Sequence, residues 1–160
     1  MIIREEAPND RPQISDVVQA AFGRTAEAHL VEQLRAEGDS IIAQVAVEQA
    51  RIIGHAMLSN MTAPFRALGL GPVSVRPDRQ RSGIGSALIR EALRQARQEG
   101  WDAVFVLGDP GFYRRFGFDP ELAGEFTCLY AGPHLMVLFM SNDLPRTGTI
   151  DYASAFAALP

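Results

Sequence analysis

The stretch that most limits the possible folds runs from residue 66 to residue 107. A β-rich run at 66–75 leads through a turn at Pro77 into a strongly amphipathic segment at 83–99. There Ile84, Leu88, Ile89, Ala92, Leu93 and Ala96 recur on one helical face. Gly100 is a good helix stop, and residues 103–107 (Ala-Val-Phe-Val-Leu) form a near-continuous apolar run, as expected of a strand covered on both faces. Strand, helix and buried strand in this order predict a parallel pair joined by a right-handed crossover.

The remaining segments extend this unit. Residues 2–5 read as a short strand. Pro8 and Asp10 introduce a helix carrying Ile14, Val17, Val18 and Ala21 and ending at Gly23. Thr25 can cap a second helix with Ala26, Leu30, Val31 and Leu34, stopping near Gly38. Residues 40–47 and 51–61 are β-rich and close enough for a hairpin. Gly69, Gly71 and Pro72 interrupt the strand at 66–75, which fits a bulge or an ordinary edge irregularity. A short helix is expected at 110–116 and a buried strand at 135–140, whereas the tail from Asn142 has no clear period. The predicted fold class is α/β (α+β), with a mixed central sheet of about six or seven strands and helices on both faces.

With 160 residues and no repeat or linker, a single domain spanning 1–160 is expected. No run approaches the ~20 apolar residues of a membrane span, and the N-terminus lacks a secretory pattern. Cys128 is the single cysteine, which excludes an internal disulfide and fits a reducing compartment, so a cytoplasmic location is expected. Cys128, His29, His55 and His134 show no metal-ligand spacing, so no metal is expected. A net charge of −4 argues against a nucleic-acid binder. The charge is uneven, however. Every basic residue is arginine, and nine of the 15 lie between Arg66 and Arg115 against five acids. A basic middle suggests a local anionic ligand, although Arg90, Arg94 and Arg97 read better as a solvated helix face.

The sharper feature is the helix start. In Arg79-Gln80-Arg81-Ser82-Gly83-Ile84-Gly85-Ser86 the first helical turn offers unpaired backbone amides. Two glycines give close access, two arginines give charge and two serines give hydroxyls. This chemistry fits a diphosphate. A P-loop is excluded because the chain has no lysine, and Leu88 stands where a dinucleotide fingerprint needs its third glycine. A glycine-rich helix start without a ligand is the alternative.

Gln80-Arg81-Ser82-Gly83-Ile84-Gly85 matches the Gln/Arg-x-x-Gly-x-Gly/Ala signature, with the Val73/Val75 strand end and the Arg76-Pro77 turn before it. Downstream stands Phe112-Tyr113-Arg114-Arg115-Phe116-Gly117-Phe118, a tyrosine helix followed by Gly-Phe. Together these motifs resemble the GNAT superfamily of N-acetyltransferases. The Leu107-Gly108-Asp109-Pro110 segment is similar to a bacterial subgroup of predicted acetyltransferases. The resemblance covers residues 40–118 well and the flanks by topology. It implies a GNAT-like fold whose sheet splays between the strands at 66–75 and 103–107. It also implies acetyl-CoA as cosubstrate, with the pyrophosphate on Arg81, Ser82, Gly83, Ile84, Gly85 and Ser86 beside Gln80, and the pantetheine arm along Val73, Ser74 and Val75. Asp109, Phe112 and Tyr113 complete the implied cofactor contacts, and Tyr113 is implied as the acid for the departing thiolate. Packing against the arm is the alternative role of Tyr113. A backbone amide near Val73 is implied as the oxyanion donor.

The implied reaction is acetyl transfer to a primary amine, on a small molecule or a protein, by direct attack through a tetrahedral intermediate. A non-catalytic CoA-binding sensor or partner module is the alternative. Family members often carry a glutamate on the strand before the cofactor loop, but residues 66–75 contain no acid. Glu27, His29, His55 and Asp109 are base candidates by residue type, and His55 reads better as a structural histidine. Relatives are often dimers, and the apolar 135–140 strand is a candidate interface.

Overall fold

The computed structural model describes residues 1–160. Its centre is the expected crossover: β4 (Ala67–Val75), α3 (Ile84–Gln98) and β5 (Ala103–Leu107), with β4 and β5 parallel from Ala67↔Ala103 to Leu70↔Val106. Before them come β1 (Ile2–Glu5), α1 (Arg11–Phe22), α2 (Ala26–Ala36), β2 (Ser40–Glu48) and β3 (Arg51–Thr62). After them come α4 (Pro110–Tyr113), α5 (Pro120–Ala123), β6 (Phe126–Thr127), β7 (Leu135–Phe139), β8 (Gly148–Thr149) and β9 (Asp151–Tyr152). The main sheet has seven strands in the order β1-β2-β3-β4-β5-β7, with β9 added to the end of β3. Only the β4–β5 pair in it is parallel. No helix is long and apolar enough to cross a membrane.

The two faces of the sheet are covered differently. On one face, the stripe of α3 (Leu88, Ile89, Ala92, Leu93, Ala96) buries against Ile42, Ala46, Leu58, Leu68, Val104 and Met136. On the other, Ile14, Val17 and Val18 of α1 and Leu30, Val31 and Leu34 of α2 meet Val45, Ile52 and Met57. Each large aliphatic side chain buried this way contributes roughly 1.5–3 kcal/mol relative to exposure. Beyond β5 that second face continues as an aromatic cluster, where Phe105 and Phe126 pack edge to face at 5.4 Å. The β2–β3 hairpin turns at Gln49 and Ala50, both at positive φ (50° and 62°) as a tight two-residue turn requires.

The sheet opens beside β4. The β4–β5 ladder ends at Leu70↔Val106, whereas β4 runs on to Val75 against β3 alone. The opening coincides with a bulge. Ala56 pairs with Val73 and Leu58 with Leu70, so Gly71 and Pro72 together oppose Met57. Pro72 has no amide to offer a ladder. The strands therefore splay where the resemblance places the splay.

Two expectations need correction. Gly69 is not part of the irregularity; it keeps regular register with Ser59 and Phe105. Its missing Cβ has another reason, because a Cβ there would lie 2.6 Å from Cε1 of Tyr152. The helix expected at 110–116 is α4 followed by a separate 3-10 turn, Arg114–Phe116, stopped by Gly117 at φ 98°. The tail, whose sequence has no clear period, carries β8, β9 and a 3-10 turn at Ser154–Ala158. Strands of two residues carry no period that a sequence could reveal.

Candidate active site

The start of α3 is built by a chain of unusual backbone positions. A 3-10 turn at Pro77–Arg79 leads to an extended Gln80, then to Arg81 and Gly83 in the left-handed region (φ 64° and 87°). Gly83 is the helix N-cap, and no side chain caps the amides behind it. The first helical bond of this end is Ala87 N–H to Gly83 O at 3.0 Å, which leaves the first-turn amides aimed outward. They open into a cavity of about 290 Å³ lined by Val75, Arg79, Gln80, Arg81, Gly83, Ile84, Gly85, Ser86, Phe112 and Arg115. No acid lines it. Helix dipole, open amides and arginine together favour an anion.

The arginines are not equivalent. Arg79 is paired with Glu48 at 2.9 Å. Arg115 donates to Phe112 O at 2.9 Å and stacks over the Phe112 ring at 4.7 Å, which keeps its charge in the cavity. Arg81 makes no ion pair. Arg115 escaped the sequence reading, although it stands beside Tyr113 in the same motif. Ser82 is outside the cavity and donates its hydroxyl to Arg79 O. Gln80 donates to Val75 O at 3.1 Å, fixing the loop to the strand end.

Strand β4 offers its free edge to the split. The Arg76 amide donates to Ile53 O at 2.9 Å, which makes Arg76↔Ile53 a hydrogen-bonded pair. By alternation Ser74 also bonds to β3, while the peptide groups of Val73 and Val75 turn away from β3 towards the diverged β5. Side chains follow the opposite logic. Val73 and Val75 pack on the α3 side, whereas Ser74 is buried beside its cross-strand partner His55 on the other face. Neither the peptide groups of Ser74, which face β3, nor its hydroxyl, buried beside His55, turns towards the diverged β5.

Tyr113 ends α4 next to Phe112, which lines the cavity. Its ring packs edge to face on Phe112 (5.0 Å) and Phe118 (5.9 Å) and joins the same core cluster as Val73. Burial pushes its hydroxyl above the ordinary phenol value, so it is a donor at neutral pH. No protein group takes that hydrogen bond. Asp109 does not reach the cavity; it caps α4 by accepting Gly111 N–H at 2.9 Å.

The base candidates scatter. Glu27 is buried but paired with Arg24 at 2.8 Å. His29 is exposed on α2, on a groove shared with the Ser154–Ala158 turn. His55 is completely buried, with Nε2 at 2.9 Å from Glu6, which Arg35 also holds at 2.8 Å. Burial alone would raise Glu6, but the hydrogen bonds from His55 and Arg35 bring it down to about 2. Burial likewise lowers His55, which is neutral and structural here. Burial raises the Cys128 thiol, so it is no nucleophile at neutral pH. No three His, Cys, Asp or Glu side chains converge as a metal site.

Comparison with known proteins gives a consistent result. The acetyltransferase (GNAT) domain family matches residues 3–120. The chain is 30% identical to the uncharacterized N-acetyltransferase YhbS of Escherichia coli K12 over 164 residues, covering 98% of each. A crystal structure of YhbS in complex with CoA superposes with a TM-score of 0.90 at 29% identity, covering 98% of this chain and 91% of that one. A GNAT family acetyltransferase from Brucella melitensis, in complex with acetyl-CoA, gives a TM-score of 0.84 at 37% identity over 97% of both chains.

Proposed function

The chain belongs to the GNAT acetyltransferase family, and on that premise we propose that it transfers the acetyl group of acetyl-CoA to a primary amine. The observation that carries the proposal is the open, uncapped start of α3 at the mouth of the split between β4 and β5. The CoA and acetyl-CoA complexes of the E. coli and Brucella relatives support it.

In this reading the first-turn amides of α3, with Arg81 and Arg115, hold the pyrophosphate. The pantetheine arm lies along β4 and bonds to the free peptide groups of Val73 and to the Val75 amide, as an added strand would, while the Val75 carbonyl accepts from Gln80. A neutral amine attacks the thioester carbon. As the C–N bond forms, the carbonyl oxygen gains charge and is met by the Val73 amide. The C–S bond then breaks, the Tyr113 hydroxyl gives its proton to the leaving sulfur, and the nitrogen loses its extra proton to water. Tyr113 recovers its proton from solvent. The acceptor is an amine of a small molecule or of a protein.

Titration calorimetry with CoA, followed by thiol release from acetyl-CoA over a panel of amines, tests this. Uptake of CoA with amine-dependent thiol release is expected. Uptake without thiol release from any amine points to a CoA-binding module instead, and no uptake at all removes the assignment.

A further inference from the structure

Strand β9 carries Tyr152 to a specific place. It pairs with the end of β3 through Met61↔Tyr152 and lays the phenol ring on Gly69. Gly69 is the last residue but one at which β4 still pairs with β5. The ring therefore covers the apex of the split, at the end of the path proposed for the pantetheine arm. Tyr130 (centroids 5.7 Å, 80°) and Phe156 (5.2 Å, 61°) hold it edge-on.

The residue is half-buried, and its Oη is buried and has no hydrogen-bond partner. The oxygen thus turns inward. The Oγ of Ser59, the β3 residue paired with Gly69, is also buried and unpartnered. Buried polar atoms normally find partners, so the orphaned Oη of a ring laid on the apex marks a place for a polar ligand. Tyr152 packs with the Ala67 and Phe105 cluster, on the face away from α3, whereas Tyr113 packs with the α3-side core. Burial raises the Tyr152 hydroxyl far above the ordinary phenol range, with Cys128, Tyr130 and Tyr113 adding to the rise. A neutral phenol takes no proton at pH 7, but its lone pairs accept an N–H. With no acid on β4, a neutral acceptor of hydrogen bonds is what this apex provides.

We infer that the Tyr152 hydroxyl contacts the incoming primary amine, accepting one N–H and turning the nitrogen lone pair towards the thioester carbon from the face opposite α3. This rests on the acetyl-transfer reading above.

Two measurements test it. In a crystal structure with acetyl-CoA, Oη should face the thioester carbon with room for one nitrogen between them. An arm that screens Oη from that carbon, or an Oη bonded to a protein group, overturns the inference. The second uses Tyr152→Phe, which keeps the ring on Gly69, with ethanolamine and hydroxylamine as acceptors. The variant should lose roughly tenfold or more in kcat/KM for the amine while its CoA affinity and melting temperature stay at wild-type values. Unchanged kcat/KM overturns the role, as does a loss of CoA affinity and stability in step with activity. If the wild type turns over neither amine, the crystal structure decides. If CoA fails to bind at all, the acetyl-transfer reading falls first and this inference with it.

Discussion

The ring of Tyr113 lies where a side chain on Gly108 would be: a Cβ there would collide with its Cε2. The glycine gives the phenol its orientation, so the two residues should fail together. Tyr113→Phe should lower kcat about 10²–10⁴-fold with unchanged Kd for CoA. Gly108→Ala should also lower kcat, by displacing the ring, and destabilise the fold by about 1–3 kcal/mol. Steady-state kinetics beside calorimetry and denaturant unfolding check both.

Gly83 has nothing within 4 Å of its missing Cβ, yet it sits at φ 87°. Its requirement is conformational rather than steric. Gly83→Ala should cost about 1–2 kcal/mol and a few degrees of melting temperature. It should also weaken CoA binding, because the strain is relieved by moving the first-turn amides.

Gly54 is tight against α3. A Cβ there would meet Leu88 Cδ1 at 2.8 Å, Ile84 Cγ2 at 3.2 Å and the backbone oxygen of Ser74 at 3.2 Å. Gly54→Ala should push α3 off the sheet and lower stability by about 1–3 kcal/mol. A fall in CoA affinity should accompany it, readable by calorimetry, since the same helix presents the amides.

The Glu6–His55–Arg35 group, with His55 buried and the other two half-buried, sets an acid limit on stability. His55 titrates below its ordinary 6.5 and Glu6 falls from 4.5 to about 2. In both cases the unfolded chain binds the proton more readily. Stability is complete above about pH 6.5, declines below it as the unfolded chain's histidine takes up a proton, and declines again between 4.5 and 2 as Glu6 does. Urea midpoints at pH 7, 5 and 3 should fall in that order. His55→Gln should flatten the step from 7 to 5, and Glu6→Gln should cost about 1–3 kcal/mol at neutral pH by weakening the bonds to buried His55 and half-buried Arg35.

Legibility in the sequence followed period and chemistry. The α3 stripe, the glycine-rich turn and the apolar β5 were readable because each repeats or concentrates one physical signal. Gly69 was not, because an absent side chain looks the same whether the chain bulges or receives a distant ring. Asp109 and Ser82 stand in the signature segments, but the sequence does not reveal that their side chains bond to neighbouring backbone, at Gly111 N–H and Arg79 O. Tyr152 was invisible because a two-residue strand has no pattern; only the tertiary fold brings it to β4.

The bulge at Gly71–Pro72 has a further consequence. Bare strand margins usually sit at the rim of a sheet, where they invite neighbouring molecules to zip on and precipitate. Here the unsaturated margin of β4 lies in the middle of the sheet, flanked by β5 and roofed by helices. The proposed pantetheine arm, which carries no side chains, suits such a margin better than a second polypeptide does. The fold thus keeps a template for strand addition without the aggregation hazard such templates carry.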